Sequence, residues 1–272
     1  MKQISILGCG WLGFPLAKSL VKSNFSINGS TTSREKLTIL KNEGISPFLI
    51  NLLEDKIEGD IETFLGNSEL LIIDIPPKLR GDFKENFVSK IATLLPFIEK
   101  SSIKKVLFVS STSVYLDLYP IEIVSEDLIL QPNTESGKQL VEVEQNLLSI
   151  KKFDTIILRF GGLIGNDRNP IKFLSGKKNI ENPEAPINLI HLEDCIGCIE
   201  NILLNTDTNH IWNQVYNAVY PFHPTRKEYY CQKAVENNLD LPQFDESETS
   251  VGKMVTSEKI QKLLGYTFVK KI

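Results

Sequence analysis

From residue 3 to residue 112 the chain alternates between apolar runs of strand length and amphipathic runs of helix length, and this limits the fold more than any single motif does. QISILG (3–8) reads as a buried strand and WLGFPLAKSLVK (11–22) as a helix with apolar residues at i, i+4 spacing. SINGS gives a second strand, SREKLTILKNEG a helix ending at Gly44, and SPFLINL a third strand. The pattern continues with ELLIIDIPP (69–77) as an apolar strand, KENFVSKIATLLPFIEK (84–100) as a long amphipathic helix, and KKVLFVSST (104–112) as another buried strand. After a helix near 136–149, FDTIILRFGGLIG (153–165) supplies one more strand with a glycine-rich exit. A strand that is apolar along its whole length has no face for water. A series of such strands separated by helices therefore implies a parallel sheet covered on both sides.

Past Gly165 the texture changes. NDRNPIKFLSGKKNIENPEAP is rich in Asn, Pro, Gly and Lys, and INLIHLEDCIGCIENILL then reads as a short strand entering a helix. The last third holds YNAVYPFHPTRKEYYCQKAVENN, the acidic loop LDLPQFDESETS and a closing helix around SEKIQKLLGY. The expected organisation is α/β: a doubly wound parallel-sheet domain over 1–166, with 187–216 returning to it, and a smaller lobe from 167–186 and 217–272. With 42% hydrophobic and 24% charged residues in 272, the chain can bury a sizeable core. A net charge of -4 with scattered Lys and Arg provides no field for a phosphate backbone, so nucleic acid is not expected as a partner. No stretch approaches ~18 uninterrupted apolar residues and no leader pattern opens the chain, so a cytoplasmic protein without membrane contact is expected. The four cysteines do not resemble a disulfide framework. His191, Cys195 and Cys198 share a helical spacing, yet DCIGCIENILL has the periodicity of a core helix and no second ligand pair appears, so no metal is expected.

Gly8, Gly10 and Gly13 form a GxGxxG between the first strand and its helix. The first glycine permits the tight turn, the second lets backbone N–H groups approach a pyrophosphate, and the third allows close packing of helix on strand. At this place in a βαβ series the pattern predicts a Rossmann-type fold that binds a dinucleotide. The end of the second strand bears on which one. An acid about 20 residues past the glycines would bind a ribose 2′-hydroxyl, but the chain there offers Ser30, Thr31, Thr32 and Arg34, with no acid before Glu35. Hydroxyls and a guanidinium suit a 2′-phosphate, which favours NADP and keeps NAD open as the alternative. An ordinary polar turn capping the helix at Ser33 accounts for some of the same residues.

Through GCGWLG, the IPP after the fourth strand, VSSTSVY, SGK, LRFGGLIG, NLIHLED and KIQKLLGY, the chain resembles the extended short-chain dehydrogenase/reductases, the NAD-dependent epimerase/dehydratase group, over nearly its whole length. The resemblance implies cofactor contacts from Gly8, Gly10, Trp11, Leu12, Gly13, Pro76, Lys138, Phe160 and Gly161. It places Ser111 at the family's catalytic Ser/Thr, and Lys138 at the lysine that holds the nicotinamide ribose and lowers the pKa of a tyrosine four residues earlier. That position is Thr134 here, and a threonine hydroxyl cannot serve as the phenol does near neutral pH. Local signals also read NTESGKQL as a plain helix start: Ser136 with Gln139 has capping-box spacing, and Asn133 or Thr134 offers a simple cap.

Leu7 stands where family members usually carry a glycine, and GCGWLGFPLAKSL also looks like the start of 3-hydroxyacid dehydrogenases, which would have an all-helical second domain. His191 and Asp194 are expected to organise the junction of core and lobe, Asn188 to face substrate, and Arg226 either to grip an anionic group or to be a solvated helix-start arginine. The expected function is an NADP-dependent oxidoreductase acting on a carbonyl or alcohol of a small molecule, with a homodimer compatible. The alternative is a catalytically degenerate NADP-binding sensor or scaffold.

Overall fold

The computed structural model describes residues 3–77 and 85–272. Two βα units and a strand open the chain: β1 (Gln3–Leu7), α1 (Gly13–Lys22), β2 (Ser26–Thr31), α2 (Arg34–Asn42) and β3 (Ser46–Leu49). A small antiparallel pair, β4 (Asn51–Leu52) with β5 (Ile57–Glu58), and the short α3 (Ile61–Leu65) lead to β6 (Leu70–Ile73), α4 (Phe87–Lys100) and β7 (Lys105–Ser111). Next come β8 (Glu122–Val124), α5 (Glu135–Ser149), β9 (Asp154–Phe160), β10 (Gly162–Ile164), β11 (Leu189–His191), α6 (Leu192–Leu204) and β12 (Gln214–Ala218). The chain closes with α7 (Arg226–Glu236), β13 (Lys253–Val255) and α8 (Glu258–Leu264).

Seven strands form one sheet in the order β12-β9-β7-β6-β1-β2-β3, every pair parallel. The chain first runs outward from β1 to β3, then returns past β1 to β6. The switch point therefore lies between the carboxyl ends of β1 and β6, where open α/β sheets bind ligands. The unbroken apolar runs follow from two-sided burial. In β6, Leu70 and Ile72 join the cluster shared with α1 and α6, while Leu71 and Ile73 join the opposite cluster under α4 and α5. The two-residue period of a strand thus places apolar residues on both faces.

Several elements differ from the sequence expectation for physical reasons. The strand expected over 69–77 ends at Ile73, because Asp74 interrupts the apolar run and Pro76 and Pro77 have no N–H for a ladder. The helix expected from 84 begins at Phe87 with Asn86 as its cap; residue 84 lies outside the described residues. FDTIILRFGGLIG divides at Gly161, and only β9 stays in the main sheet while β10 pairs with β11. The break lets two backbones meet, since a Cβ at Gly161 would lie 2.6 Å from the Asn188 carbonyl oxygen. The short α3 has too few residues to show helical periodicity, and β12 carries Asn217 at a fully buried position, which hides its strand pattern.

Beyond β9 a smaller apolar cluster gathers Ile164, Ile171, Ile187, Leu189, Tyr229, Tyr230 and Ala234. Strands β8 and β13 form a parallel pair whose Val124 and Val255 join the cluster under α4 and α5. Ile260 and Leu264 of α8 pack into the cluster of β1, α1 and α6. Four strands follow β9, so the all-helical second domain of the 3-hydroxyacid dehydrogenase alternative is not what this chain builds.

Candidate functional site

The turn from β1 into α1 leaves no room for side chains at two of its glycines. Gly8 has φ +104°, and a Cβ there would lie 2.3 Å from the Asp74 carbonyl oxygen; at Gly13 it would lie 2.2 Å from the Gly8 carbonyl oxygen. Gly10 is the opposite case, with nothing within 4 Å of its Cβ position, so the space above it is open. Much of the loop is tied down internally. Gly8 N–H donates to Ser30 Oγ (2.9 Å), Cys9 N–H to the Ser30 carbonyl (2.7 Å) and Gly10 N–H to the Gly8 carbonyl (2.8 Å). Among the described residues, the Trp11 and Leu12 amides find no backbone or side-chain acceptor. These two stand at the amino end of α1, where unpaired donors and the helix dipole favour an anion. A cradle that any Cβ would fill, with two free amides above it, fits a dinucleotide pyrophosphate.

Asp74, unanticipated by the sequence reading, lies directly beneath this turn. Its Oδ2 is 3.0 Å from the Cβ position of Gly13. Loss of water raises its pKa to about 8, opposed only by hydrogen bonding from the Gly13 backbone. The nearby Cys9 thiol is pushed up to about 12, chiefly by burial and then by Asp74. The one available sequence signal was an acid ending the apolar LLII run at the switch point.

At the end of β2, the Ser30 side chain is buried and holds the glycine turn, and Thr31 Oγ1 accepts the Ser33 N–H (3.1 Å). Thr32 and Arg34 are exposed, and Arg34 opens α2 with no carboxylate in ion-pair range among the described residues. Of the four residues singled out there, these two project from the surface beside the strand end.

A second corner forms at the end of β7. Ser111 caps the short 3-10 turn Thr112–Val114, its Oγ accepting the Ser113 N–H (3.2 Å). The first turn of α5 sits on this segment, with the Cβ position of Gly137 only 2.7 Å from the Ser113 carbonyl oxygen. Thr134 is the cap of α5, and its Oγ1 accepts the Gly137 N–H at 3.1 Å. The Ser136–Gln139 capping box does not form; Gln139 instead accepts the Phe87 N–H (2.7 Å) and donates to Glu135 (2.7 Å). Lys138 is exposed and unpaired among the described residues. Ser111, Thr134 and Lys138 are thus brought to one corner, with the threonine hydroxyl serving the helix.

A buried polar network stands behind this corner. Arg159 donates to Glu144 (2.5 Å) and to the Tyr115 hydroxyl (2.7 Å), Tyr115 donates to Asn217 Oδ1 (2.8 Å), and Ser110 donates to Glu144 (2.5 Å). Burial works against the Arg159 charge, but Glu144 and Tyr115 together raise its pKa. Burial also raises the Tyr115 pKa, and the phenol is held in the frame between Arg159 and Asn217.

The remaining predicted residues have other surroundings. Pro76 is exposed just past Asp74, while Phe160 is buried in the core and Gly161 is enclosed by Asn188 and Val219. The Asn188 amide is engaged with β13, accepting from Val255 N–H and donating to the Lys253 carbonyl, both at 2.8 Å. Arg226 opens α7 with its Nε buried and without a partner among the described residues, and its guanidinium is 6.0 Å from the Tyr230 ring centroid. His191 caps α6, and the fully buried Asp194 accepts from Tyr266 Oη and the Val269 and Lys270 amides, tying down the C-terminal segment. Cys195 and Cys198 are buried core residues with thiols pushed well up by burial. Among the described residues no helix is long and apolar enough to cross a membrane.

No family model matches the sequence. Protein YeeZ of Escherichia coli K12 is 33% identical over 270 residues, covering 98% of this chain and 96% of YeeZ. The chain belongs to the YeeZ family. It shares a Rossmann-like fold with solved structures of a short-chain dehydrogenase/reductase superfamily protein with bound NAD and of an epimerase and a dehydratase crystallised with NAD. A functionally unknown conserved protein from Silicibacter pomeroyi superposes with TM-score 0.79 at 21% identity, over 98% of this chain and 94% of that one. UDP-glucuronic acid 4-epimerase from Bacillus cereus, in complex with NAD, superposes with TM-score 0.78 at 17% identity, over 99% and 92% of the two chains.

Proposed function

We propose that this chain is an NADP-dependent oxidoreductase acting on a carbonyl or alcohol of a small molecule. The observation that carries the reading is the switch-point turn, where Gly8 and Gly13 admit no side chain and the Trp11 and Leu12 amides find no acceptor among the described residues. The NAD bound to the Bacillus cereus epimerase supports it, and the absence of an acid before Glu35 at the end of β2 favours a 2′-phosphate. NADP supplies hydride exchange when bound. The chain's own residues position and polarise: Ser111 donates to the reacting oxygen, and Lys138 places an ammonium beside it and grips ribose hydroxyls. Proton exchange then runs through water at this corner, because Thr134 has no titratable proton near neutral pH. Arg226, whose buried Nε has no partner among the described residues, is proposed to hold an anionic substrate group, and the cytoplasm is the proposed location. Calorimetric titration is expected to show tighter binding of NADPH than NADH, with Arg34→Ala narrowing the gap; equal affinities in the wild type would remove the NADP assignment. A panel of aldehydes and ketones followed by NADPH absorbance then tests turnover.

A second reading is an NADP-binding sensor. The observation in its favour is the cap bond from Gly137 to Thr134, which uses the hydroxyl at the tyrosine position for structure. Tight NADPH binding with no oxidation across the panel would select it.

A further inference from the structure

The loop leaving β10 lies against the glycine turn. A Cβ at Gly165 would meet Trp11 at 2.9 Å, and the Trp11 indole N–H donates to Asp167 Oδ1 at 2.8 Å. The guanidinium carbon of Arg168 sits 4.4 Å from the Trp11 ring centroid. Gly165 and Arg168 exchange backbone hydrogen bonds, both 3.0 Å, so the segment is a closed turn held by its own amides. Asp167 is engaged by the indole. Among the described residues no carboxylate stands within ion-pair range of Arg168, which is exposed. An unpaired cation is thus stacked on the very residue whose amide is one of the two free donors of the turn.

We propose that Arg168 is a pyrophosphate-binding residue of the dinucleotide site, delivered by the turn after β10 and held in place by Trp11. Stacking on an aromatic face leaves the in-plane N–H groups of a guanidinium unused, and their fork matches phosphate oxygens. The turn needs such a charge. Among the described residues two of its amides lack an acceptor, and the half-buried Asp74 sits below them. The inference rests on the dinucleotide reading above and adds the residue that neutralises the ligand's charge. The same contact joins the cofactor turn to the segment that opens the smaller lobe.

The test titrates the full chain calorimetrically with NADPH, NADH, ADP-ribose and 2′-AMP. The first three carry a pyrophosphate and the fourth does not. Arg168→Ala is expected to weaken the first three by about tenfold to hundredfold, the scale of a lost hydrogen bond to a charged group, and to leave 2′-AMP and the melting temperature unchanged. Arg168→Lys should recover part of the loss, and Arg34→Ala should act on NADPH and 2′-AMP alone. Unchanged NADPH and NADH affinities in Arg168→Ala would overturn the proposal. So would an equal loss for 2′-AMP, or a lowered melting temperature that Arg168→Lys restores together with the affinity. If the wild type binds none of the four ligands, the dinucleotide reading itself fails.

Discussion

Two corners of this molecule stand at carboxyl ends of strands in one sheet, each leading to the amino end of a helix. The corner after β1 is made of backbone, and the one after β7 works through side chains. After β1, distances of 2.2–2.3 Å from a hypothetical Cβ to neighbouring carbonyl oxygens leave glycine as the one residue that fits at Gly8 and Gly13. After β7 the structural requirement is only a helix cap on α5 and a turn beside Ser111, and Thr134 meets it without a phenol. At Gly8 and Gly13 the turn cannot accept a side chain without losing its shape. A side-chain site can keep its shape while its chemistry changes, so fold likeness reports on the first corner and not on the second.

The largest expected effect tests whether the second corner is framed independently of its chemistry. Arg159→Leu leaves the Glu144 carboxylate buried without its partner, and the expected cost is about 3–5 kcal/mol of stability. Denaturant unfolding measures it. Glu144→Gln with Arg159→Leu should recover most of the loss, and a single variant as stable as the wild type would show that the network does not hold the corner.

At the first corner, Gly13→Ala forces a Cβ against the Gly8 carbonyl, so the turn must open. Dinucleotide affinity is expected to fall by more than about 100-fold, consistent with the several kcal/mol that a displaced backbone contact costs. Gly10→Ala, where the Cβ position is open to a ligand and not to protein, should retain the melting temperature and lose affinity alone. That split between shape and space is read by calorimetry beside thermal melting.

Asp74 ties the first corner to pH. Its folded pKa is raised to about 8 from an ordinary 3.8, so the fold keeps a proton that the unfolded chain releases. Stability therefore falls as pH rises from near 4 through 8 and levels off above it. A neutral carboxyl tolerates a pyrophosphate and an ionised one repels it, so dinucleotide affinity is expected to drop as pH passes through 8, by up to about tenfold per unit. Asp74→Asn should flatten both curves. A wild-type affinity constant from pH 6 to pH 9 would remove this role.

The alternation of residues 3–112 made the sheet legible, because two-sided burial writes itself as apolar runs such as LLII in β6. The glycine turn was legible for the same reason: steric exclusion leaves one residue type. What stayed hidden depends on contacts distant in sequence. Arg168 reads as one charge in a polar loop until Trp11 is seen beneath it, and Asp74 reads as a strand-end acid until Gly13 is placed above it. The pairing of β10 with β11 was hidden because Gly161 looks like the exit of one strand rather than a crossing point of two backbones.

The smallest expected effect is the sharpest on the comparison. Thr134 contributes one cap bond to α5, so Thr134→Ala should cost about 1 kcal/mol of stability and leave dinucleotide affinity unchanged. Thr134→Tyr should cost about the same, since a phenol cannot reach back to the Gly137 amide. It also places a titratable proton four residues before Lys138, with Ser111 and Ser113 close by. If the second corner still has the geometry of a reaction site, NADPH oxidation with a carbonyl panel should rise in Thr134→Tyr and, at saturating NADPH, acquire a pH dependence beyond the one Asp74 gives the wild type, because a phenol titrates and a threonine does not. If the variant folds, binds NADPH as the wild type does, and shows neither gain nor pH dependence, the corner has kept only its structural half. The sensor reading then stands.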